Sequence, residues 1–413
     1  MPNIRTSTDT KVKHADAAFM KLNRNEFTTA FAFTLDFLEM ELRGNTSNHN
    51  KRTGLIAAQI GRAMGLSDED IFDLSSYAML HDNGITHECY NVLSKDGRER
   101  LDCTASHCLV GEKNLEAFPF LKRRETVIKY HHESYDGSGP FGMSGDDIPL
   151  FSQIIALAEP LEVAYAAGET HEDIIAGIVG DTGSRYSPLL VEAFRNAASA
   201  VSFWLSLDSR FLDSEIGRHI PVYTIDIDLK QLLPISAIMS GIIDSKSPFT
   251  ANHSKGATDK TAVMCDYYGF DAAKKTRMMI AADLHDIRKL AIPNHIIDKP
   301  GKLTDPEFSQ IKTHAFYTRK VIETVRGFED IAEWAANHHE KLDGSGYPFG
   351  LTADACCFES RLIGCVDIYQ ALTEDRPYRA GMSHEEACKV LQGMANDGKI
   401  SREITADMIS VFC

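Results

Sequence analysis

The sequence predicts a mainly α-helical protein built from two tandem helical-bundle domains. Apolar residues recur every three or four positions over long stretches, for example at Phe31, Leu35, Leu38 and Leu42, and this is the period of an amphipathic helix. An ordered series of histidines and carboxylates also occurs twice along the chain. A repeat of this length predicts that a whole domain has been duplicated.

Length and strand content agree with this fold class. The chain has 413 residues, of which 43% are apolar, so it is too long for one compact core and suits two domains of about 200 residues. Signals for β-strands are scarce, and the best candidate is Val222–Ile227, where apolar and polar residues alternate. We place the domain boundary near residues 205–225, which gives domains at 1–210 and 225–413.

The elements follow in order along the chain. The first 20 or so residues predict a loose arm or a short leading helix, and the helical pattern begins at Phe27. Ser187 and Pro188 predict the start of a terminal helix in the first domain, because serine caps helices and proline favours their first turn. A helix from Ile235 to Ile243 opens the second domain. The remaining segments are predicted to be helices separated by Gly and Pro loops.

Composition excludes several classes of protein. A formal net charge of −16 argues against binding to a nucleic-acid polymer, which needs a basic surface, but a metal site could still bind small anions. The nine cysteines form no CxxC pairs and are typical of reduced thiols. The polar segment Met1–Ala17 and the absence of an apolar run of about 20 residues predict neither signal peptide nor membrane span. We therefore expect a cytoplasmic protein.

Each copy of the repeated series contains five histidines and two carboxylates. Positions 49 and 81 are 32 residues apart, as are 253 and 285, and positions 107 and 131 are 24 apart, as are 314 and 338. The second-half series is His253, His285, Asp286, His314, His338, His339 and Asp367. The first-half series is His49, His81, Asp82, His107, His131, His132 and Glu159. A lone histidine is usually structural, but this ordered repetition predicts a metal centre.

The ligand types indicate the kind of metal and its chemistry. Histidine and carboxylate ligands without cysteine favour manganese, iron or zinc. Seven ligands are too many for one ion but fit two ions that share a carboxylate. Two ions about 3.5 to 4 Å apart can bind both the attacking and the leaving oxygen of a phosphoryl displacement. Because adjacent helical residues point about 100° apart, such ligands would have to converge in a crevice between helices.

The second half resembles the HD-GYP domain, a branch of the HD phosphohydrolase superfamily that hydrolyses bacterial cyclic dinucleotides. The resemblance covers about residues 230–413 and rests on the HHExxDGxGYP motif from His338, on Asp367 and on the Arg376-Pro377-Tyr378-Arg379 segment. It implies that His253, His285, Asp286 and Asp367 hold one metal ion. It further implies that Asp286 bridges to a second ion held by His314, His338 and His339. Iron or manganese is expected, with zinc, nickel or magnesium as alternatives.

The resemblance also assigns catalytic and substrate-binding residues. Lys289 lies at the position of the family's catalytic lysine, where a cation neutralises phosphate charge in the transition state, and Asp286 acts beside it as the bridging ligand. The substrate-binding positions implied are Arg376, Arg379 and the family's signature loop, which contains Asp343, Gly344, Gly346, Tyr347 and Pro348. A solvent-exposed charge is the alternative interpretation of Arg379.

Three departures from the family pattern lie near these residues. Arg288 replaces the usual glycine before the lysine, and Cys356-Cys357 replaces the usual Ile-Pro pair after the signature loop. Phe249 occupies the position of a glutamate that binds a third metal in some members. We therefore expect two metal ions rather than three.

The first half resembles a degenerate copy of the same domain. It retains the histidine series, with Glu159 in place of the last aspartate, but has Ile85 in place of the lysine. It also lacks the signature tyrosine and the Arg-Pro-Tyr-Arg segment. Three alternatives follow: a metal-bound domain without this catalysis, a metal-free structural relic, or a separate phosphohydrolase.

The expected function is that of a metal-dependent phosphodiesterase. By resemblance, a metal-bridged hydroxide opens a 3',5'-cyclic dinucleotide, either cyclic GMP-AMP or cyclic di-GMP, to a linear dinucleotide with a 5' phosphate. One alternative is a non-catalytic receptor or scaffold for the dinucleotide, and another adds a 5'-nucleotidase activity in the first half. The resemblance also allows a protein partner at the signature loop and a homodimer.

Overall fold

In the computed structural model, α-helices form most of the regular structure, so the all-α prediction is confirmed. The structure describes residues 19–43, 47–85, 101–122, 124–245, 253–299, 301–375 and 380–412. The described helices before residue 224 are α1 (Arg24–Arg43), α2 (His49–Ala63), α3 (Asp68–Met79), α4 (Leu101–Leu115), α5 (Leu150–Ala166), α6 (His171–Gly180), α7 (Pro188–Ala198), α8 (Val201–Leu205) and α9 (Leu212–His219). Those after it are α10 (Leu233–Ser245), α11 (His253–Tyr267), α12 (Ala272–Leu284), α13 (Asn294–Ile297), α14 (Asp305–Ile322), α15 (Glu329–Ala336), α16 (Phe358–Thr373), α17 (His384–Asn396) and α18 (Arg402–Val411).

Two short strands join the start of the described chain to the junction between its halves. Strand β1 (Phe19–Asn23) pairs antiparallel with β2 (Thr224–Asp228). The second strand overlaps the predicted candidate Val222–Ile227, starting two residues later and ending one residue later. For β1 the expectation of a loose arm or helix was wrong over its first two residues, because a strand partner about 200 residues away leaves no local signal.

The helices that carry the first histidine of each series begin beside a buried aspartate. Asp36 accepts hydrogen bonds from the backbone N–H groups of Asn48 and Asn50, both at 2.8 Å. Asp244 accepts from the backbone N–H and hydroxyl of Ser254, at 3.1 and 2.8 Å. Since a helix N-terminus carries unpaired N–H groups and partial positive charge, these carboxylates fix the first turns of α2 and α11.

Each half surrounds its histidines with packed helices. In the first half α2 packs against α3, α5 and α7, and in the second α11 packs against α12 and α16, with α15 packed against α12 and α14. A loop or turn between these helices therefore carries several of the predicted ligands into the centre of the bundle. The predicted ligands therefore converge in a crevice between helices, as their sequence spacing required.

The two halves meet along α1. The Phe27 ring packs edge-on against Phe328 of the second half, with 6.1 Å between ring centroids, and Glu26 accepts a 3.0 Å hydrogen bond from the backbone N–H of Arg326. Buried apolar residues form one continuous cluster from Leu22 to Met408. The halves thus share a core, and the division near residues 205–225 stays a prediction.

Candidate metal centres

All seven predicted ligands of the second half come together in the structure. They lie at the start of α11 (His253), directly after α12 (His285, Asp286), in α14 (His314), directly after α15 (His338, His339) and in α16 (Asp367). Six of them are buried, and His339 keeps a side-chain exposure of 23%. Three helices and two turns therefore supply one shared centre.

The ligands form two adjacent groups. In each group, one potential ligand atom per residue lies within 4.8 Å of the others. The first group is His253, His285 and Asp367, and the second is Asp286, His314, His338 and His339. This grouping has the size expected of two neighbouring ion positions.

Asp286 lies between the groups with one oxygen toward each. Its Oδ2 is 3.2 Å from His285 Nε2, whereas its Oδ1 is 3.5 Å from His314 Nε2. Asp367 also spans both groups, with Oδ1 3.1 Å from His253 Nε2 and Oδ2 3.8 Å from His339 Nδ1. The two carboxylates thus have the geometry of shared ligands.

Backbone carbonyls fix the orientation of three histidine rings. The Nδ1 atoms of His285, His314 and His338 lie 2.6 to 2.7 Å from the carbonyl oxygen three residues earlier in each case. Because a carbonyl can only accept, each Nδ1 must donate, so in the neutral ring Nε2 keeps its lone pair toward the centre. This second contact is typical of metal-binding histidines.

The protein side chains alone favour the metal-binding forms of His314, His338 and Asp286. Burial lowers the pKa of His314 to about 4 and that of His338 to about 3, so both rings are neutral near pH 7. Burial opposes ionisation of Asp286, but His285 and Lys289 hold the pKa of its carboxyl well below the usual range. Neutral imidazoles and ionised carboxylates are the ligand forms.

Burial opposes charge on His253 and His285, but the neighbouring carboxylates still raise the pKa of His253 to about 9 and that of His285 well above its usual range. These two rings would lose a proton when a metal ion binds.

Lys289 lies at the edge of the centre on a short 3-10 helix, Ile287–Ala291. Its Nζ contacts Asp286 Oδ2, and its side chain is 27% exposed. A cation is therefore held beside the Asp286 carboxylate while still reachable from solvent.

The signature loop wraps the edge of the same site. Tyr347 is half-buried, and its ring centroid lies 4.8 Å from that of His339, while Pro348 follows it. Gly344 has φ +79°, which favours glycine, and a side chain at Gly346 would collide with the backbone of Glu340 and Lys341. The glycines are thus required by the shape of the loop.

Two loop carboxylates organise the backbone. Exposed Asp343 accepts from the backbone N–H of Ser345 at 3.0 Å. Buried Glu340 accepts from the N–H groups of Phe349 and Leu351 at 2.7 and 2.8 Å. The sequence did not predict this role of Glu340, because its partners lie 9 and 11 residues later and leave no local pattern.

Some predicted positions cannot be placed, and one contact was missed. Arg376, Arg379 and Phe249 lie outside the described residues. The Nδ1 atom of His253 lies 3.0 Å from Glu374 Oε2, a contact that was not predicted. Glu374 follows Asp367 by two helical turns, so its place on the same face was the available signal.

The first half assembles an equivalent centre. One group contains His49, His81 and Glu159, and the other contains His107, His131 and His132 together with Cys108. Asp82 again faces both groups, with Oδ2 3.5 Å from His81 Nε2 and Oδ1 3.4 Å from His107 Nε2. All seven predicted residues of this series are thus brought together.

The first-half centre differs in three respects. Ile85, at the lysine position, is buried and supplies no charge. Cys108, whose Sγ is 3.7 Å from His107 Nε2, was missed because a single cysteine carries no spacing signal. The Nδ1 atom of His49 contacts Glu162, which also contacts Arg52, and His49 Nε2 lies 3.2 Å from Glu39.

The residues of both centres fit divalent metal ions. Among the described residues, buried His285 Nε2, Asp286 Oδ1 and His81 Nε2 have no hydrogen-bond partner. An unpaired buried polar atom is costly, and a metal ion would satisfy such atoms.

Within the described chain, no helix has the length and apolar character needed to cross a membrane.

Comparison with known proteins agrees with this geometry. A 3'3'-cGAMP-specific phosphodiesterase of Vibrio cholerae is 28% identical over 372 residues, covering 86% of this chain and 85% of the relative. A cyclic di-GMP phosphodiesterase of Pseudomonas aeruginosa is 40% identical over 111 residues, 27% of each chain. The crystal structure of a cyclic GMP-AMP-specific phosphodiesterase of V. cholerae has a TM-score of 0.68 at 24% identity, covering 95% of this chain and 98% of that one. This last likeness confirms the fold.

The family assignment rests on two matches along the chain. A model of the HD domain matches residues 36–176 and 237–404, so each match contains one copy of the histidine series. Together the matches span well over half of the sequence, and they agree with the resemblance that the repeated motifs carry. The chain therefore belongs to the HD domain family.

Proposed function

We propose that this chain is a metal-dependent phosphodiesterase that hydrolyses a 3',5'-cyclic dinucleotide to a linear dinucleotide with a 5' phosphate. The chemistry belongs to the second half. One observation carries the proposal: Asp286 directs its two oxygens at different histidine groups while Lys289 contacts the same carboxylate. This arrangement suits phosphoryl transfer, in which charge must be neutralised on several oxygens at once.

Two metal ions would be held by the two ligand groups of the second half. Divalent ions bound there would supply Lewis-acid activation of water and of the phosphate. Asp286 and Asp367 would be shared between the positions, since each reaches both groups. Neither of the two described ligand groups of this half contains a thiol, which favours iron or manganese.

Lys289 and the signature loop would act on the substrate directly. The Lys289 ammonium carries a charge that can neutralise a phosphate oxygen as negative charge develops there. Tyr347 offers a ring beside the histidines, 4.8 Å from His339 between centroids, and a nucleobase can stack on such a surface. Gly344 and Gly346 shape the loop that holds this ring.

The first half would bind metal without opening the ring. Its ligand geometry repeats that of the second half, which favours a metal-bound domain over a metal-free relic. Buried Ile85 offers no cation where Lys289 stands in the second half, and this weighs against ring cleavage there. The intact histidines leave a phosphatase activity of this half as a second candidate.

Cyclic GMP-AMP is the first substrate to test. The relative that aligns over 85% of its own length is named for that dinucleotide, while a relative named for cyclic di-GMP aligns over 27% of its length. Arg288 and Cys356-Cys357 depart from the family pattern near the site, so the second substrate belongs in the same assay.

The test is product analysis on both cyclic dinucleotides. Full-length protein loaded anaerobically with Mn²⁺ or Fe²⁺ is incubated with each substrate, products are separated by chromatography, and metal content is measured on the same sample. We expect a linear 5'-phosphorylated dinucleotide. Tight binding without turnover of either substrate would instead support the non-catalytic receptor, and loss of the 5' phosphate would reveal phosphatase activity in addition.

A further inference from the structure

Arg288 has an unusual environment for a charged side chain. It is 5% exposed, and its guanidinium carbon lies 3.2 Å from the ring centroid of Phe37, 4.5 Å from Tyr317 and 5.7 Å from Phe33. Among the described side chains, its Nε and Nη1 atoms have no hydrogen-bond partner. Aromatic rings, rather than a described carboxylate, therefore stabilise this buried cation, as cation–π contacts can.

The rings around Arg288 come from both halves of the molecule. Phe33 and Phe37 lie on α1 of the first half, with their rings edge-on at 5.0 Å. Tyr317 lies on α14 of the second half. Arg288 itself lies on the 3-10 helix that also carries Lys289. The contact thus fastens the lysine-bearing segment to the first half.

Clamping Arg288 constrains Lys289. The 3-10 helix has three residues per turn, so neighbouring side chains leave it about 120° apart. The backbone N–H of Lys289 also donates to the Asp286 carbonyl at 2.8 Å, and its Nζ contacts the Asp286 carboxylate. With Arg288 held on one side of this tight turn, Lys289 is left directed at the metal centre.

We propose that Arg288 is a positioning residue and that the aromatic clamp of Phe33, Phe37 and Tyr317 lets the first half set the orientation of Lys289. The inference rests on the proposed function, because it concerns the lysine of that same site. The first half would then contribute to ring opening through contact, whatever its own metal centre does. Misplacing a catalytic group by about 1 Å can cost up to about a hundredfold in rate.

The test compares two aromatic residues of α1 that both contact the second half. Phe37→Leu removes the ring beside Arg288 but keeps an apolar side chain. Phe37→Tyr keeps an aromatic ring at the same position. Phe27→Leu is the matched control, because Phe27 packs on Phe328 and away from Arg288 in the described contacts. We expect Phe37→Leu to lower kcat about tenfold, with KM and metal content unchanged and with kcat near wild type in Phe37→Tyr and Phe27→Leu.

A double-mutant cycle identifies the route of the effect. In a Lys289→Ala background, Phe37→Leu should cause no further loss of kcat, because the residue it positions is gone. Arg288→Met, which keeps an unbranched apolar chain but removes the charge, should match Phe37→Leu. Hydrogen exchange of residues 286–291 should be faster in Phe37→Leu and unchanged in Phe27→Leu, a readout that needs no turnover.

Several results would overturn the inference. They are an active wild type with unchanged kcat in Phe37→Leu, equal losses in Phe37→Leu and Phe27→Leu, or an additive loss in the Lys289→Ala background. Unchanged hydrogen exchange in Phe37→Leu would contradict the clamp itself. A wild-type chain without turnover would overturn the proposed function and, with it, the catalytic role of this contact.

Discussion

In the proposed function, the chemistry of the second half would centre on one side chain, Asp286. Its oxygens face two histidine groups, and the lysine three residues later contacts the same carboxylate. A buried carboxylate is costly unless its charge is compensated. Lys289 contacts Oδ2, whereas buried Oδ1 has no hydrogen-bond partner among the described residues. The position of Asp286 is therefore explained best by metal ions that bind in the space its oxygens face.

Substitutions of Lys289 test how much a positive charge beside Asp286 contributes to kcat. Lys289→Ala should lower kcat by about 10² to 10³, the usual cost of removing one group that stabilises transition-state charge, while metal content stays at the wild-type level. Lys289→Arg should retain part of the activity because it keeps the charge. Steady-state kinetics with metal analysis measures both, and full activity in Lys289→Ala would refute its role.

At the scale of elements, the signature loop depends on one buried carboxylate. Glu340 accepts two backbone N–H groups of the loop, and Glu133 does the same for Phe141 and Met143 in the first half, at 2.6 and 2.7 Å. The same loop therefore exists in both halves, although the first half lacks the tyrosine. The glutamate contacts therefore determine the shape of the loop. Its contribution to catalysis depends on the side chains that the loop holds, such as Tyr347.

Glu340→Ala should therefore loosen Tyr347 and lower kcat/KM by about tenfold. The loss of two buried hydrogen bonds should also destabilise the protein by about 1 to 3 kcal/mol. Glu133→Ala is the matched control, since it should cost similar stability and leave ring cleavage unchanged. Equal kinetic losses in the two variants, measured beside thermal unfolding, would contradict the assignment of the loops.

Asp244, which bonds to the first turn of helix α11, should make the stability of the protein depend on pH. Burial raises the pKa of Asp244 from 3.8 to about 6, so between these values the folded state binds more protons than the unfolded state. Stability contributed by this group is present below about pH 4 and is lost as pH rises through about 6. The shift corresponds to roughly 2 to 3 kcal/mol.

Asp244→Asn should make the unfolding free energy of metal-free protein less dependent on pH over that window. Asp36 and Asp283, whose pKa values burial also raises to about 6, would leave part of the slope in place. Denaturant unfolding at pH 4 to 7 measures the effect. An unchanged slope would show that Asp244 does not titrate in this range.

The elements also show what sequence can and cannot predict. Helices and the ligand series are local or repeated patterns, so period and spacing revealed them. Alternation indicated the second strand, but its pairing with Phe19–Asn23 and the contact of His49 with Glu162 join distant segments, so neither contact left a local signal. Cys108 and Arg288 became informative only when the fold showed what surrounds them.

At the scale of the whole molecule, two similar centres share one core. The halves meet along α1 rather than through a tether alone, so changes in the first half can reach the second. This arrangement explains how a half without the lysine could still affect catalysis. It does not require the first half to cleave the substrate.

The central claim is that ring opening belongs to the second half alone, and equivalent substitutions in the two halves test it most directly. Turnover of cyclic GMP-AMP and cyclic di-GMP is measured, with metal content, for Asp286→Ala and Asp82→Ala. We predict that Asp286→Ala abolishes ring opening and lowers metal content, while Asp82→Ala keeps cleavage within a few-fold of wild type. An active Asp286→Ala variant, or a folded Asp82→Ala variant without cleavage, would contradict the claim.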